Sequence, residues 1–270
     1  MHNLARSAAL GLVLLLSRSA FAADNQLTAQ EKAAGWKLLF DGRTFANWED
    51  PTKKSPPGDS FVIEDGCLKA TSHPRIDEDL FTAETYGDFE LELDWKISPR
   101  GNSGVKYRIE DRVFLLDQKL PHFEDMVNAA LKNRRTDRPA RDQEYVVGFE
   151  YQITDNSANP DARSNGPMHQ TAALYDMFAA SMDATKPVGE FNHTRIVLKG
   201  DHFEHWLNGR MVTSGSLKAP EVIRAVAKRW GENSPVYHLL ADQPRNRCPI
   251  SLQNHDDVCW FKNIRIRALN

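Results

Sequence analysis

The alternation of apolar and charged residues in DFELELDWKI (88–97) is the feature that most constrains the fold of this chain. One parity of the segment is entirely apolar and consists of Phe89, Leu91, Leu93, Trp95 and Ile97. Because successive side chains of a β-strand point to opposite faces, this spacing predicts a strand with one face in a core.

The same alternation recurs further along the chain. It is found in SGVKYRIE (103–110), where Tyr107 has the apolar parity, and in GFEYQITD (148–155). The dipeptide Asn208-Gly209 is typical of a two-residue hairpin turn. Short strands separated by turns predict an all-β fold, a two-sheet antiparallel jelly-roll sandwich. We expect Trp95 and Tyr107 to be buried between its sheets.

Two segments depart from this β pattern. Residues 122–144 are charged and compatible with a helix, and residues 219–230 combine an early proline with apolar residues at helical spacing. Both are predicted to be short helical insertions. No internal repeat or low-complexity linker divides the chain, so we expect residues 23–270 to form a single sandwich domain.

The first 22 residues have the pattern of a secretory signal peptide. A basic start is followed by the apolar run AALGLVLLL (8–16) and by the cleavage signal Ala20-Phe21-Ala22. The apolar run has about half the length that a membrane-spanning helix needs. We therefore expect export to the periplasm or beyond the cell, with no membrane span in the mature chain.

Charge and cysteine content exclude two further classes. The formal net charge is -3, so the chain lacks the excess of basic residues with which proteins bind nucleic acid. Its cysteines are Cys67, Cys248 and Cys259, an odd number without a C-x-x-C pair. A framework of disulfides is therefore not expected, and buried thiols are.

Polar residues on the other parity of the strands suggest a binding cleft. The candidates for one concave sheet face are Glu92, Asp94, Lys96, Arg108, Glu150, Gln152, Gln253 and His255. A solvated sheet face explains any one strand alone, but amides and histidine are less expected there than lysine and threonine. Amides and carboxylates pair with sugar hydroxyls, and an aromatic ring covers a sugar's CH face. Trp206 is a candidate for that ring, or else a core residue.

Eight blocks of sequence resemble the bacterial 3-keto-disaccharide hydrolase family, which is related in fold to concanavalin A-like lectins and glucanases. They are GWKLLFDGRTFANW (35–48), FVIEDGCLKA (61–70), YGDFELELDWKISPRGNSGVKYRI (86–109), EYQITDN (150–156), TAALYD (171–176), KPVGEFN (186–192), HWLNGRMV (205–212) and ISLQNHDDVCWFKNIRIRAL (250–269). Their order and spread extend the resemblance over nearly all of residues 35–269. The resemblance implies a jelly-roll enzyme that acts on a glycoside oxidised to a ketone at C3.

Two features depart from the family pattern. The insertion at 111–145 is longer than the family leads us to expect, and it can reshape one edge of the cleft. HDDV (255–258) stands where we expect a His-Gly-Asp stretch, so Asp256 occupies a turn position that glycine would tolerate better.

The chemistry of such a substrate defines the groups that the site needs. A C3 ketone acidifies the C2 hydrogen, and a base that removes this proton can expel the glycosidic oxygen from C1, after which water adds. A base, a proton donor and a group that holds the enolate oxygen are required. Glu150 or His255 is the candidate base or acid, and Asp94 the residue that orients it. Arg108 or Lys106 is the candidate for the enolate.

Further residues are expected to bind the substrate. Gln152 and Gln253 are candidates for the ring hydroxyls, and His169 lies in a segment that can lean over a cleft. We expect Glu150, Gln152, Arg108, Asp94 and His255 to converge on one cleft. A divalent cation can replace the cationic group at the enolate, but no compact ligand motif requires one. DNSANPD (155–161) resembles a weak calcium loop that turn residues explain equally well.

Two other functions compete with this enzyme. A lectin-like carbohydrate-binding module needs the cleft but no titrating pair, and the sequence leaves that alternative open. A retaining glucanase needs two carboxylates about 5 Å apart, which on this fold lie in an E-x-D-x-x-E strand. Here Glu92 and Asp94 are followed by Ile97 at the position of the second glutamate, so the glucanase is disfavoured.

Overall fold

The alternating segments form two antiparallel sheets that pack face to face. The computed structural model describes residues 23–50, 60–72, 78–115, 120–133, 143–242 and 244–269. The signal peptide predicted for residues 1–22 lies outside these ranges. The strands are β1 (Lys37–Leu38), β2 (Trp48–Glu49), β3 (Phe61–Glu64), β4 (Cys67–Ala70), β5 (Leu80–Thr82), β6 (Phe89–Ile97), β7 (Asn102–Leu115), β8 (Gln143–Thr154), β9 (Asn192–Lys199), β10 (His202–Leu207), β11 (Arg210–Ser216), β12 (Ser251–Leu252) and β13 (Cys259–Ala268).

The larger sheet, here the back sheet, has the order β11-β10-β9-β6-β13-β4-β3, with β1 also paired to β13. The smaller sheet, the front sheet, has the order β2-β5-β12-β7-β8. Most neighbours in space are distant in sequence, as in a jelly roll, and every described pair is antiparallel. The predicted two-sheet antiparallel jelly-roll sandwich is therefore confirmed.

The core between the sheets contains the residues that the alternation assigns to it. Trp95 is 1% exposed and Tyr107 is fully buried, as predicted. The Trp95 indole N–H donates to Thr194 Oγ1 at 2.8 Å, and the Tyr107 hydroxyl lies 2.9 Å from His205 Nε2. Burial lowers the pKa of His205 to about 4, so this core histidine is neutral at pH 7.

Both predicted helical insertions contain a helix. The helices are α1 (Ala29–Ala33), α2 (Phe123–Lys132), α3 (Pro160–Asn165), α4 (Pro220–Trp230) and α5 (Pro235–Tyr237). A 3₁₀ turn (Pro167–His169) follows α3, and a π-helical turn (His238–Asp242) follows α5. Residues 134–142 of the first insertion lie outside the described ranges. Helices α2 and α4 pack together, and Asn128 Nδ2 of α2 donates to the Trp230 carbonyl at 3.1 Å.

The other sequence features have simple structural counterparts. All three cysteines are free and buried, whereas burial was expected for at least one of them. No helix in the described ranges is both long and apolar enough to cross a membrane. Asp256 has a φ of +61°, so its turn does use the backbone conformation that glycine adopts most easily.

Candidate active site

A cavity of about 300 Å³ lies on the face of the front sheet that is turned away from the back sheet. Strands β7 and β8 and the segment after β12 form its floor, and α2 and α4 each contribute a wall residue. Its lining residues are Asp79, Asn102, Lys106, Phe123, Glu144, Tyr145, Glu150, Gln152, Tyr175, Arg229, Gln253, Asn254 and His255.

Strand register brings the central charged pair of this cavity together. Lys106 on β7 is the direct cross-strand partner of Glu150 on β8. Because Tyr107 and Phe149 point into the core, the side chains of Lys106 and Glu150 point the other way, into the cavity. Gln152 follows Glu150 at the same parity. These positions are those that the alternation predicts.

Lys106 is a buried cation held among acidic and amide groups. Its Nζ lies 3.5 Å from Asp79 Oδ2, and Ser251 Oγ donates to the same oxygen at 2.9 Å. The Gln253 amide satisfies both of its neighbours when its nitrogen donates to Glu150 Oε1 at 3.3 Å and its oxygen accepts from Lys106 Nζ at 3.2 Å. Burial opposes the charge, but Asp79 and Glu150 outweigh it and raise the pKa of Lys106. The lysine is therefore a fixed positive charge at neutral pH.

Glu150 has the environment of a carboxylate that binds protons readily. Desolvation raises its pKa, and the negative charge of Asp79 adds to this effect, whereas Lys106 opposes it. A carboxylate with a raised pKa is a stronger base once it has lost its proton. Glu150 therefore combines access to the cavity with increased basicity.

Gly104 provides the space in which the Glu150 carboxylate lies. A Cβ at Gly104 would come within 2.3 Å of Glu150 Oε1 and 2.9 Å of its Cδ. Both distances are far below van der Waals contact, so any larger residue at this position must displace the carboxylate.

We therefore expect Gly104→Ala to lower activity strongly and stability modestly. Turnover should fall on the order of tenfold to hundredfold, because displacement of a reacting group by about 1 Å costs up to that much. The free energy of unfolding should fall by about 1–3 kcal/mol, the usual cost of overpacking, less the roughly 0.5–1 kcal/mol by which alanine within a strand is more favourable than glycine. Steady-state kinetics and urea denaturation of the same preparation check both parts. Full activity in Gly104→Ala would show that the position of the carboxylate is unimportant.

Two more polar side chains line the cavity beside this pair. Asn102 Oδ1 is buried and has no hydrogen-bond partner among the described residues, so it can accept a hydrogen bond from a ligand hydroxyl. Glu144 Oε1 lies 2.9 Å from Arg112 Nη1, and its other oxygen accepts from the backbone N–H of Asp79 at 2.9 Å. Burial raises the pKa of Glu144, whereas Arg112 opposes this shift.

His255 stands at the rim of the cavity, where its side chain is exposed. It follows Asn254, whose Nδ2 donates to the Ser60 carbonyl at 2.7 Å and whose Oδ1 accepts from the Asp256 N–H at 2.9 Å. The turn that carries His255 is thus held on both sides. Of the five residues expected to converge, Glu150, Gln152 and His255 do line one cavity.

Asp94 and Arg108 do not reach this cavity, and the prediction that they converge there is wrong. Asp94 lies on the outer face of the back sheet, where it accepts from Asn263 Nδ2 at 2.6 Å and lies 2.8 Å from His193 Nδ1. Parity identifies an outward face but not which sheet it belongs to, and β6 is in the back sheet.

Arg108 is turned away by a β-bulge. The register of β7 against β8 shifts between Tyr107 and Asp111, and Arg108 has a φ of +49°. Its guanidinium donates to the carbonyls of Arg245 at 2.9 Å and Gly200 at 2.7 Å, at an edge of the sandwich. The bulge breaks the alternation on which the prediction depended.

Trp206 and His169 also lie outside the cavity lining. Trp206 is on the outer face of the back sheet, where its ring stacks under the Arg195 guanidinium at 4.7 Å and its N–H donates to Glu204 at 2.7 Å. Trp206 is therefore neither the aromatic ring predicted to cover a sugar in this cleft nor a core residue. His169 is buried behind the cavity wall, between Asp161 and Asp176.

In the segment that resembles a calcium loop, side-chain oxygens accept hydrogen bonds from nearby backbone N–H groups. Asp155 Oδ1 accepts from the N–H groups of Ser157 at 3.0 Å and Ala158 at 3.1 Å, and Asn159 caps α3. These are turn and capping contacts. Within the described ranges, no group of three or more His, Cys, Asp and Glu side chains could hold a metal ion.

Several lining residues were not predicted, and only some of them leave a signal in the sequence. Asn102 has the parity of Lys106, and Glu144 that of Glu150, so a longer count along each strand would have found both. Tyr175 and Arg229 come from a loop and a helix end, where strand parity has no meaning. Asp79, which precedes the short strand β5, carries no pattern either.

Comparison with known proteins finds relatives that match most of this chain. A family model described as the 3-keto-alpha-glucoside-1,2-lyase-like domain matches residues 35–267. A 3-keto-disaccharide hydrolase of Bacteroides thetaiotaomicron is 30% identical over 258 residues, which cover 88% of this chain and 80% of that protein.

Two crystal structures of presumed glycosyl hydrolases from Parabacteroides distasonis are also similar, each at 26% identity. The first has a TM-score of 0.69 and covers 92% of this chain and 100% of its own. The second has a TM-score of 0.58 and covers 87% and 99%.

Proposed function

Because the chain belongs to the family of 3-keto-alpha-glucoside-1,2-lyase-like domains, we propose that it cleaves 3-keto-glycosides, such as 3-keto-disaccharides, in the cavity around Glu150 and Lys106. The observation that carries the proposal is the pairing of a desolvated carboxylate with a buried lysine across β7 and β8, bridged by the Gln253 amide. A base beside a fixed cation is what removal of a proton next to a ketone requires.

Glu150 is the base in this proposal. Its carboxylate takes the proton from C2 of the oxidised ring, and the electron pair of the C2–H bond forms the enolate with the C3 carbonyl. The enolate then expels the glycosidic oxygen from C1, which leaves a C1–C2 double bond conjugated with the ketone. Addition of water across this double bond, hydroxide at C1 and a proton at C2, gives the free 3-keto sugar.

Lys106 holds the negative charge that develops on the C3 oxygen. Its ammonium is buried and charged at neutral pH, so it stabilises the enolate without reorganisation of solvent. Between the two candidates from the sequence, Lys106 is favoured over Arg108, whose guanidinium is bound to backbone carbonyls elsewhere. The buried Asn102 Oδ1 and the amides of Gln152 and Gln253 bind the ring hydroxyls.

His255 is the proton donor to the departing oxygen. Its exposed position at the rim suits a group that meets the leaving half of the substrate and then exchanges protons with water. This role leaves Glu150 at the buried end of the cavity and the aglycone towards solvent.

We expect His255→Ala to lower turnover of a 3-keto-disaccharide by about a hundredfold or more, the usual contribution of a general acid. The defect should shrink when the leaving group is p-nitrophenol, which departs without a proton. Initial rates on both substrates check this. His202→Ala, on the back sheet, is the matched control and should act as wild type. An equal loss on both substrates would contradict the assigned role.

The proposed reaction is tested by incubating the protein with a 3-keto-disaccharide and with its unoxidised parent, and separating the products by chromatography. Cleavage of the oxidised compound alone supports the proposal. Binding of the sugar without turnover, seen by calorimetry, would favour a lectin-like module instead. Parallel reactions with a chelator and with added divalent cations decide whether a cation assists at the enolate.

We also propose that the chain is exported after removal of a signal peptide. The basic start, the apolar run 8–16 and the A-x-A signal at 20–22 support cleavage after Ala22. N-terminal sequencing of the protein from periplasmic and external fractions tests it, and a cytoplasmic product that starts at Met1 would contradict it.

A further inference from the structure

His169 lies between two carboxylates behind the wall of the cavity. Its Nδ1 is 3.0 Å from Asp161 Oδ2, and its Nε2 is 3.1 Å from Asp176 Oδ1. A neutral imidazole has a single N–H, so it can donate to only one of these oxygens, whereas an imidazolium donates to both. We call Asp161, His169 and Asp176 the His169 clamp.

Each carboxylate of the clamp also contacts a residue that lines the cavity. The Tyr175 hydroxyl donates to Asp161 Oδ2 at 3.0 Å, and Arg229 Nε lies 3.4 Å from Asp176 Oδ2. The Arg229 guanidinium lies 5.2 Å from the centre of the Tyr175 ring. The clamp therefore connects Tyr175, which lies in a loop, with Arg229, which lies at the end of α4.

This pair of wall residues is fixed directly beside the proposed base. The Tyr175 backbone N–H donates to the Glu150 carbonyl at 3.0 Å, so Tyr175 is attached to β8 at the catalytic position itself. A shift of the clamp moves the Tyr175 ring, and Arg229 with it, relative to the Glu150 carboxylate.

We infer that His169, as an imidazolium between Asp161 and Asp176, is a positioning residue that holds Tyr175 and Arg229 in the substrate-binding wall beside Glu150. The role of this wall in binding substrate rests on the proposed function. The protonation of His169 between the two aspartates does not depend on the proposed function.

The charges around the clamp indicate how it depends on pH. Asp161 and Asp176 face the imidazole, Asn165 Nδ2 donates to Asp161 at 2.6 Å, and Arg229 faces Asp176 and Glu124, the latter at 3.8 Å. Burial alone would lower the pKa of His169, but the hydrogen bonds and charges of the two aspartates raise it to about 9. The imidazolium is thus intact at neutral pH, and it loses one of its two donors as the pH rises through about 9.

The kinetic consequence is a loss of binding rather than of chemistry. In wild type, KM should rise as the pH passes about 9. Both N–H groups of a glutamine amide lie on one nitrogen, so they cannot reach two carboxylates on opposite sides as the two ring nitrogens do. His169→Gln should therefore show a KM about tenfold higher at pH 7 with little change in kcat, the pattern of a lost binding contact. That alkaline rise in KM should be absent from the variant. His202→Gln, the same change on the back sheet, should leave KM and its pH profile as in wild type.

The decisive measurement is the titration of the His169 ring nitrogens by ¹⁵N NMR in the free wild-type protein, assigned with His169→Gln. Two protonated nitrogens at pH 8 support the clamp, and a neutral ring at pH 8 would overturn it. A wild-type KM in His169→Gln at every pH would overturn the positioning role. If wild type turned over no 3-keto-disaccharide, the proposed function would fail, and the NMR titration would still decide the state of the clamp.

Discussion

Glu150→Gln should lower turnover of a 3-keto-disaccharide by a hundredfold or more while the protein stays folded. Glutamine has nearly the same shape but cannot accept the C2 proton, and general bases contribute roughly 10²–10⁴ to the rate. The fold should tolerate the change, because the amide still occupies the space over Gly104 and faces Gln253. Glu204→Gln, on the outer face of the back sheet, is the matched control and should keep wild-type kinetics.

The dependence of turnover on pH provides a second test of Glu150 as the base. A base must be deprotonated to act, so turnover in wild type should fall as the pH falls through the pKa of Glu150, which desolvation has raised above its ordinary value. The residual activity of Glu150→Gln should lack this acid limb. Wild-type turnover in Glu150→Gln, or an unchanged acid limb, would assign the base to another residue.

Trp95→Ala should cost about 3–5 kcal/mol of the free energy of unfolding, as large-to-small changes in cores do. The side chain is 1% exposed, and its N–H is bonded to Thr194, so the change leaves both a cavity and a buried hydroxyl with one partner fewer. Urea denaturation followed by circular dichroism measures the loss.

Trp206→Ala is the matched control for this change. Trp206 has the outward parity of the back sheet, and its contacts are a stacked guanidinium and one hydrogen bond to Glu204. Its loss should cost on the order of 1 kcal/mol. It should leave KM unchanged, since the ring lies on the side of the sandwich away from the cavity. Equal costs for the two tryptophans would contradict the register of the back sheet.

The sequence predicted the parts of this molecule that depend on strand parity alone. Alternation placed Trp95 and Tyr107 in the core and turned Lys106, Glu150 and Gln152 outwards, because these strands are regular at those positions. The blocks of family-like sequence also led to the correct family.

The same reasoning failed where parity was interrupted or ambiguous. Arg108 lies in a bulge, where the regular alternation of β7 is interrupted. Asp94 and Trp206 do point outwards, but from the back sheet, and no local pattern tells which of two sheets a strand joins. Tyr175 and Arg229 contact each other and the clamp from segments that are distant in sequence, which no strand pattern reveals.

The most direct test of the proposed mechanism uses a 3-keto-disaccharide that carries deuterium at C2 of the oxidised ring. Removal of that hydrogen by Glu150 must transfer the deuteron to the carboxylate before the glycosidic bond breaks, and the carboxylate then exchanges it with solvent before water adds. We expect the sugar product from wild type to have lost its deuterium, after correction for exchange measured with Glu150→Gln. A product that keeps the C2 deuterium, together with equal turnover of the deuterated and undeuterated substrates, would show that the bond is hydrolysed directly and would contradict the mechanism.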